Sequence, residues 1–319
     1  VVFVTGACEG DLVSATVYTV HKTYATAGLA RVIVPSPFRQ KSFCKASFAC
    51  GGCPLSHIQY EKQLAIKKQT VTDALSRIGG VDLRTVSVSD TMGMDTPFCY
   101  RNKMVFPVGK INGTVVGGFY APKSHEIVPL SSCMAGEKAA TQALDCVVRF
   151  LNKESIAPYD EEQKRGTVRR VFVRTGYYSK ELMVVISSFT EHIKHLDRLV
   201  SALQNIDFAG YELKSIVLNV NKKHNNLVLG DKDITLWGSS TINDTLLSLS
   251  FSISPHSFFQ VNPVQTRVLY ETALGFADLD ETKTVLDIYC GIGTISLCAA
   301  KHAKQVIGVE IVEDAIRDA

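Results

Sequence analysis

The sequence predicts a multidomain α/β and α+β chain, and three observations carry that expectation. The first 40 residues alternate apolar and polar side chains in short, glycine-punctuated stretches. The middle of the chain mixes strand-like and helix-like runs, and the last third turns to an apolar strand, a glycine turn, a helix and a second strand. A chain of 319 residues with 46% hydrophobic side chains exceeds what one ordinary core organises, so two or three domains are expected.

In residues 1–40, Val13-Ser14-Ala15-Thr16-Val17 and Arg31-Val32-Ile33-Val34 are the strand-like stretches, with Gly6, Gly10 and Gly28 between them. Side chains that alternate at a period of two between turn residues predict a small, partial β-barrel. A cysteine-rich loop follows Pro35-Ser36-Pro37. Residues 57–78 then carry apolar side chains at Ile58, Leu64, Ala65, Val71, Ala74, Leu75 and Ile78, a spacing that predicts one amphipathic helix ended by Gly79-Gly80.

From residue 81 to about 249, strands are expected over 168–173, 182–187, 215–220 and 226–229, with helices over 136–151 and 191–203. The simplest arrangement is an α+β domain dominated by antiparallel hairpins. A helix over 263–277 then leads into Thr284-Val285-Leu286-Asp287-Ile288, the first strand of a doubly wound α/β domain. The expected boundaries are 1–40, 41–250 and 251–319, with the helix over 57–78 a candidate to pack on the last of these.

Charge and termini narrow the function classes. The formal charge is only +3, yet residues 1–80 hold nine Lys/Arg against four Asp/Glu, which suits a front end facing a polyanion. No apolar run reaches the length of a membrane span, and residues 1–20 lack a basic start and a small-residue cleavage site, so the cytoplasm is the expected compartment. The chain starts at Val1 and stops at Ala319 inside a helical pattern, and both ends are expected to be cut.

The most informative stretch is Asp287-Ile288-Tyr289-Cys290-Gly291-Ile292-Gly293-Thr294. Glycines between a strand and a helix N-terminus let the backbone approach a ligand closely. Glu310 closes the following strand, where a carboxylate can accept both ribose hydroxyls of a nucleoside. A dinucleotide fingerprint wants a third glycine three positions after the second, which this turn does not have. The shorter turn better suits S-adenosylmethionine, which has no pyrophosphate to cradle. Cys290 and Cys298 are more readily small packing residues than nucleophiles.

Nine cysteines include three crowded together in the pattern Cys44-x5-Cys50-Gly51-Gly52-Cys53. In a reducing compartment this clustering points to metal ligation. Three clustered thiols plus one remote thiol is a common set for a four-iron cluster, whereas zinc usually takes two paired knuckles. Spacing leaves Cys8, Cys99, Cys133 and Cys146 all open as the fourth ligand.

The 287–294 turn with Gly308-Val309-Glu310, and the upstream Ser257-Phe258-Phe259-Gln260-Val261-Asn262-Pro263, together resemble the RNA uracil-C5 (5-methyluridine) methyltransferases, in particular the iron-sulfur 23S rRNA type. Tyr100-Arg101-Asn102-Lys103-Met104 is similar to a further recurring segment of that family, and residues 1–40 resemble an OB-like RNA-binding TRAM module. The resemblance implies that Gln260, Tyr289, Gly291, Thr294 and Glu310 bind S-adenosylmethionine, that Phe258 stacks on the target base, and that Arg101 and Lys103 lie near RNA. It also implies a 4Fe-4S cluster on Cys44, Cys50, Cys53 and Cys133. Phosphate contacts from Lys22, Arg31, Arg39, Lys41 and Lys45 would add affinity and salt sensitivity without reading sequence. In the family a cysteine thiolate adds to uracil C6 before C5 takes the methyl group. The Asp-Pro-Pro and Ser-Cys-Asn-Pro segments that carry the base and nucleophile do not occur here, so neither catalytic residue is named and the fragment is expected to be inactive. Ribosomal RNA is favoured over transfer RNA as the substrate, a non-catalytic iron-sulfur RNA-binding protein is the competing class, and a monomer is expected.

Overall fold

A computed structural model describes residues 1–224 and 227–318. They divide into two compact units, Val1–Pro97 with Ala121–Ser124, and the remainder from Phe98 on. No helix among the described residues is long and apolar enough to cross a membrane.

In the first unit β1 (Val2–Thr5), β2 (Leu12–Val20) and β3 (Ala25–Val34) form a sheet in the order β1-β3-β2. β1 runs parallel to β3, and β2 pairs with it antiparallel. Three strands are too few to close a barrel, and the sheet stands open. Ala27 is the one hydrophobic side chain of these strands that is buried. What holds this region is polar. The Asp11 carboxylate, whose side chain is 1% exposed, accepts the amides of Cys8 (2.6 Å) and Ser36 (2.8 Å) and pairs with the Arg39 guanidinium, which also donates to the Gly6 carbonyl (2.9 Å). That guanidinium holds the Asp11 carboxyl well below the usual range.

A short helix α1 (Ser47–Cys50) and a longer α2 (Tyr60–Asp73) follow. The expected amphipathic helix over 57–78 is corrected on two points. It starts at Tyr60, and none of the α2 residues is buried. Over Ala74–Ile78 the backbone widens to a π-helical turn, which adds a residue to the turn and carries Leu75 and Ile78 off the line of the earlier apolar positions. Ile78 ends 87% exposed.

The second unit is built on a seven-stranded sheet. Its elements are β4 (Lys103–Ile111), β5 (Thr114–Tyr120), β6 (Ile127–Pro129), α3 (Lys138–Lys153), β7 (Val168–Thr175), β8 (Glu181–Ser188), α4 (Leu196–Gln204), β9 (Glu212–Val220) and β10 (Lys232–Gly238). The strand order is β10-β9-β8-β7-β4-β5-β6. All neighbours are antiparallel except β8 and β9, which are parallel because α4 carries the chain back across the sheet. That one parallel pair is the departure from a sheet otherwise dominated, as expected, by antiparallel pairing. Of the strand expected over 226–229, Asn226 lies outside the described residues and Leu227 to Leu229 are not strand; the strand is β10.

Both faces of this sheet are covered, and the period of two sorts each strand between two cores. Phe106, Val171, Val173, Val184, Ile186, Ile216 and Leu218 pack with Leu144, Val147 and Leu151 of α3 and with Leu199 and Leu203 of α4. The alternate residues Phe172, Met183, Val185 and Val217 pack with the hairpin formed by β11 (Ile242–Leu246) and β12 (Leu249–Ile253), and with Phe259, Tyr270, Ile292 and Cys298. Burial on both faces is why β8 reads as an almost unbroken apolar run.

The closing elements are α5 (Pro263–Ala277), β13 (Thr284–Asp287), α6 (Thr294–Ala299), β14 (Gln305–Gly308) and α7 (Glu313–Asp318). β13 and β14 pair in parallel, Asp287 opposite Gly308, which is the opening expected of a doubly wound domain. Asn262 caps α5 by accepting the Gln265 amide (3.0 Å), with Pro263 at the first helical position.

Candidate cofactor and RNA site

The turn between β13 and α6 is anchored on both sides. The Val309 amide donates to the Asp287 carbonyl (2.8 Å), the Cys290 amide to the Val309 carbonyl (3.1 Å), and the Ser296 hydroxyl to the Asp287 carboxylate (2.6 Å). Gly291 (φ +56°) and Gly293 (φ +73°) occupy left-handed backbone, and a side chain on Gly291 would enter open space. The Gly291 amide donates to Glu310 (3.0 Å), whose other oxygen accepts the amides of Ile311 (2.8 Å) and Val312 (2.9 Å). These backbone donors, Val312 first and Gly291 next, hold the Glu310 carboxyl below its ordinary range and so keep it charged at neutral pH. Tyr289 beside them is 89% exposed. Cys290 is buried, and burial followed by the nearby Asp287 pushes its thiol up, so it is a packing residue against Gly308 rather than a ready nucleophile.

Thr294 and Gln260 meet on a third residue. The Tyr270 hydroxyl is 2.7 Å from the Thr294 hydroxyl, and the Gln260 side chain lies near enough to it to act on its pKa. Tyr270 itself is buried in the second core. Thus the structure brings Gly291 to Glu310, and Gln260 to Thr294 through Tyr270.

The segment 257–261 splits its two aromatic rings. Phe259 is buried against Phe251, while Phe258 is 61% exposed, with the Lys103 ammonium 6.0 Å from its ring centre. Burial first, then the charges of Arg174 and Arg101, lower the Lys103 pKa. Arg101 is exposed. Between these two, Asn102 is buried and turned inward: its side-chain amide donates to the Gln260 carbonyl (2.9 Å) and its backbone amide to the Val261 carbonyl (3.0 Å).

No family model matches the chain. Among curated proteins, it is 42% identical over 318 residues to an uncharacterized RNA methyltransferase of Clostridium tetani, covering 100% of this chain and 68% of that protein. An uncharacterized RNA methyltransferase of Halalkalibacterium halodurans is 43% identical over 317 residues, with 99% and 68% covered. The chain belongs to the RNA methyltransferases. Among solved structures, the Pyrococcus abyssi tRNA (uracil-54, C5)-methyltransferase in complex with S-adenosyl-L-homocysteine superposes on this RNA methyltransferase with a TM-score of 0.75 and 25% identity, covering 99% of this chain and 70% of that one. The mixed α/β fold is therefore that of an S-adenosylmethionine-dependent methyltransferase.

The cysteine loop of this RNA methyltransferase is less complete. Cys44, Cys50 and Cys53 are half-buried and all in the first unit, whereas Cys133 belongs to the second. Among the described residues no three His, Cys, Asp or Glu side chains stand together as a metal-ligating set. The loop backbone nonetheless suits ligation. Gly51 caps α1 in left-handed conformation (φ +69°), and a side chain there would press on Pro122 at 2.5 Å; one on Gly52 would lie 3.3 Å from the Cys50 sulfur. Gly52 thus leaves the space beside that thiol clear, and Gly51 lets the chain pass close to Pro122.

Three residues that the sequence did not single out complete the site: Tyr270, Arg174 and the inward-facing Asn102. A buried tyrosine within the helix that leads to the glycine turn is a usable signal for Tyr270, since a buried hydroxyl seeks a partner. Nothing local marks Arg174.

Proposed function

We propose that this RNA methyltransferase moves the methyl group of S-adenosylmethionine to C5 of a uridine in RNA. The observation that carries the proposal is the linked pair of contacts around one open turn, Gly291 with Glu310 and Thr294 with Gln260 through Tyr270, with the exposed Phe258 only two residues from Gln260. S-adenosylmethionine supplies the electrophilic methyl group. Glu310 offers a charged carboxylate to the ribose hydroxyls, the left-handed glycines keep the turn clear of side chains, and Tyr289, Thr294 and Gln260 line its rim. Phe258 presents an exposed ring on which an extruded base can stack, and Arg101 and Lys103 provide positive charge beside it.

Uracil C5 is a weak nucleophile, so the chemistry calls for a thiolate to add at C6 and a base to remove the C5 proton. Cys290 and Cys298 are unsuited to the first role, since both are buried and burial pushes both thiols up. A 4Fe-4S cluster on Cys44, Cys50, Cys53 and Cys133 is part of the proposal as a structural element, supported by the close spacing of the first three on one glycine-containing loop. Iron and sulfide content after anaerobic purification, lost in Cys50→Ser, tests it separately from activity.

Two RNA substrates are in view. The cysteine loop and the three-stranded N-terminal sheet, read as part of a TRAM module, favour 23S rRNA. The similarity to the Pyrococcus abyssi enzyme favours tRNA. Incubating a protein of its relatives' full length with labelled S-adenosylmethionine and either protein-free 23S rRNA or bulk tRNA, followed by nucleoside analysis, decides between them. Label on a nucleoside other than 5-methyluridine, with either RNA, would remove the uracil-C5 reading.

A further inference from the structure

We propose that Arg174 is a positioning residue of this site: from the floor of the sheet its guanidinium fixes the 257–261 strap, so that Phe258 is held out for the base while Gln260 is held on Tyr270. The inference rests on the methyl-transfer reading for its kinetic consequences and on geometry alone for its structural ones.

Arg174 lies on β7, and its side chain is buried against the ring of Phe172, 5.3 Å away. One terminal nitrogen, Nη2, donates to the carbonyls of both Pro255 (3.3 Å) and Ser257. These carbonyls flank the turn immediately before Phe258. The turn is closed locally by Ser254 and Ser257, whose hydroxyls lie 2.7 Å apart and accept one another's backbone amides. On the far side of Phe258, Asn102 holds the carbonyls of Gln260 and Val261. Asn102 is tied to β7 in turn, since its own carbonyl accepts the Thr175 amide (2.9 Å). Adjacent residues of one strand, Arg174 and Thr175, therefore hold the strap at both ends, the second through Asn102. Phe259 is pinned in the core between them.

A guanidinium is a costly way to hold two carbonyls if holding the chain is all that is needed. Burial alone sets its acidity and pulls the pKa down to about 10, with no carboxylate contributing. Its Nε is buried without a hydrogen-bond partner. A buried cation that no carboxylate compensates is destabilising in itself. What the guanidinium offers in return is a planar, rigidly held Nη2 whose two N–H bonds reach both carbonyls from one long stem. It also places positive charge under the Lys103 and Phe258 pair, near enough to lower the Lys103 pKa. Both are properties of a site in which the orientation of one exposed ring matters.

The test uses Arg174→Met and Arg174→Lys in a protein of its relatives' full length, alone and combined with Phe258→Ala. Hydrogen exchange in peptides spanning 254–261 is expected to accelerate at least about tenfold in Arg174→Met while β8 keeps its protection. The kcat/KM for RNA methylation is expected to fall roughly a hundredfold, the scale of a small misplacement, mainly in kcat. In the Phe258→Ala background the same substitution should cost less than about threefold, because the residue through which it acts is already gone. Arg174→Lys, which keeps the charge on a shorter and flexible stem without the planar guanidinium, is expected to fall between and carries both arms if the methionine variant does not fold. Unchanged exchange in 254–261, or losses that multiply independently in the double variant, would overturn the proposal. If a wild-type protein of its relatives' full length methylates no uridine, the functional reading fails, and the exchange arm still decides whether Arg174 sets the strap.

Discussion

Replacing Tyr270 by Phe isolates the joint between the two halves of the cofactor site. The ring stays in the second core, where Tyr270 is 5% exposed, and only the hydroxyl is lost. That hydroxyl makes the 2.7 Å contact to Thr294 and the contact to Gln260. A hydrogen bond of this kind contributes about 0.5–1.5 kcal/mol net. Thr294 and Gln260 are only half-buried and can turn to water once released, which places the combined loss near the lower end, about 1 kcal/mol. If both residues meet the cofactor, that loss appears in its affinity as roughly a fivefold weakening of S-adenosyl-L-homocysteine binding. Calorimetry on wild type and Tyr270→Phe measures it directly. Burial pushes the Tyr270 hydroxyl up, so it stays protonated through the neutral range. Its contribution is fully present below the ordinary tyrosine pKa of about 10, and would be lost only as pH rose through the elevated folded value. The ratio of the two affinities should therefore be flat from about pH 6 to pH 9. A variant that melts earlier yet binds the ligand as tightly as wild type refutes the reasoning, because Tyr270 would then support the core without ordering Gln260 and Thr294.

Glu310→Gln puts an amide NH2 group opposite the Gly291 N–H or removes charge from the ribose side, and S-adenosyl-L-homocysteine affinity should drop by about tenfold or more by calorimetry. Because the Glu310 carboxyl is depressed, wild-type affinity should persist above its ordinary pKa near 4.5 and decline as pH falls through the lower folded value. Phe258→Ala should leave ligand affinity and melting temperature within error, since the ring is 61% exposed, while RNA binding in a filter assay weakens by about 1–3 kcal/mol. Asp11→Asn strands the Arg39 guanidinium, whose side chain is 16% exposed, and should destabilise the first unit by about 3 kcal/mol in urea titrations. Asp11 is a depressed carboxylate, so its stabilisation is present above the ordinary aspartate range and disappears only in strong acid, where variant and wild type should converge.

Local pattern determined much of this protein. Asn262 with Pro263 marks the start of α5, the β-branched runs mark β7, β8 and β9, and the strand, glycine turn, helix, strand and acid between Thr284 and Glu310 stand in the structure as the sequence orders them. Each is set by residues within a few positions of one another, where capping, left-handed glycine and a period of two act directly on the backbone. The tertiary structure alone decided the parallel pairing of β8 with β9, the exposure of α2, and the open sheet at the N-terminus, because pairing and burial depend on which surface the chain path brings near. The same is true of the residues that hold the site. Asn102 finds its partner 158 positions away in Gln260, Arg174 finds Ser257 after 83, and Tyr270 finds Thr294 after 24. A side chain's type shows that it needs a partner when buried, but only the path of the backbone through space says which one it gets.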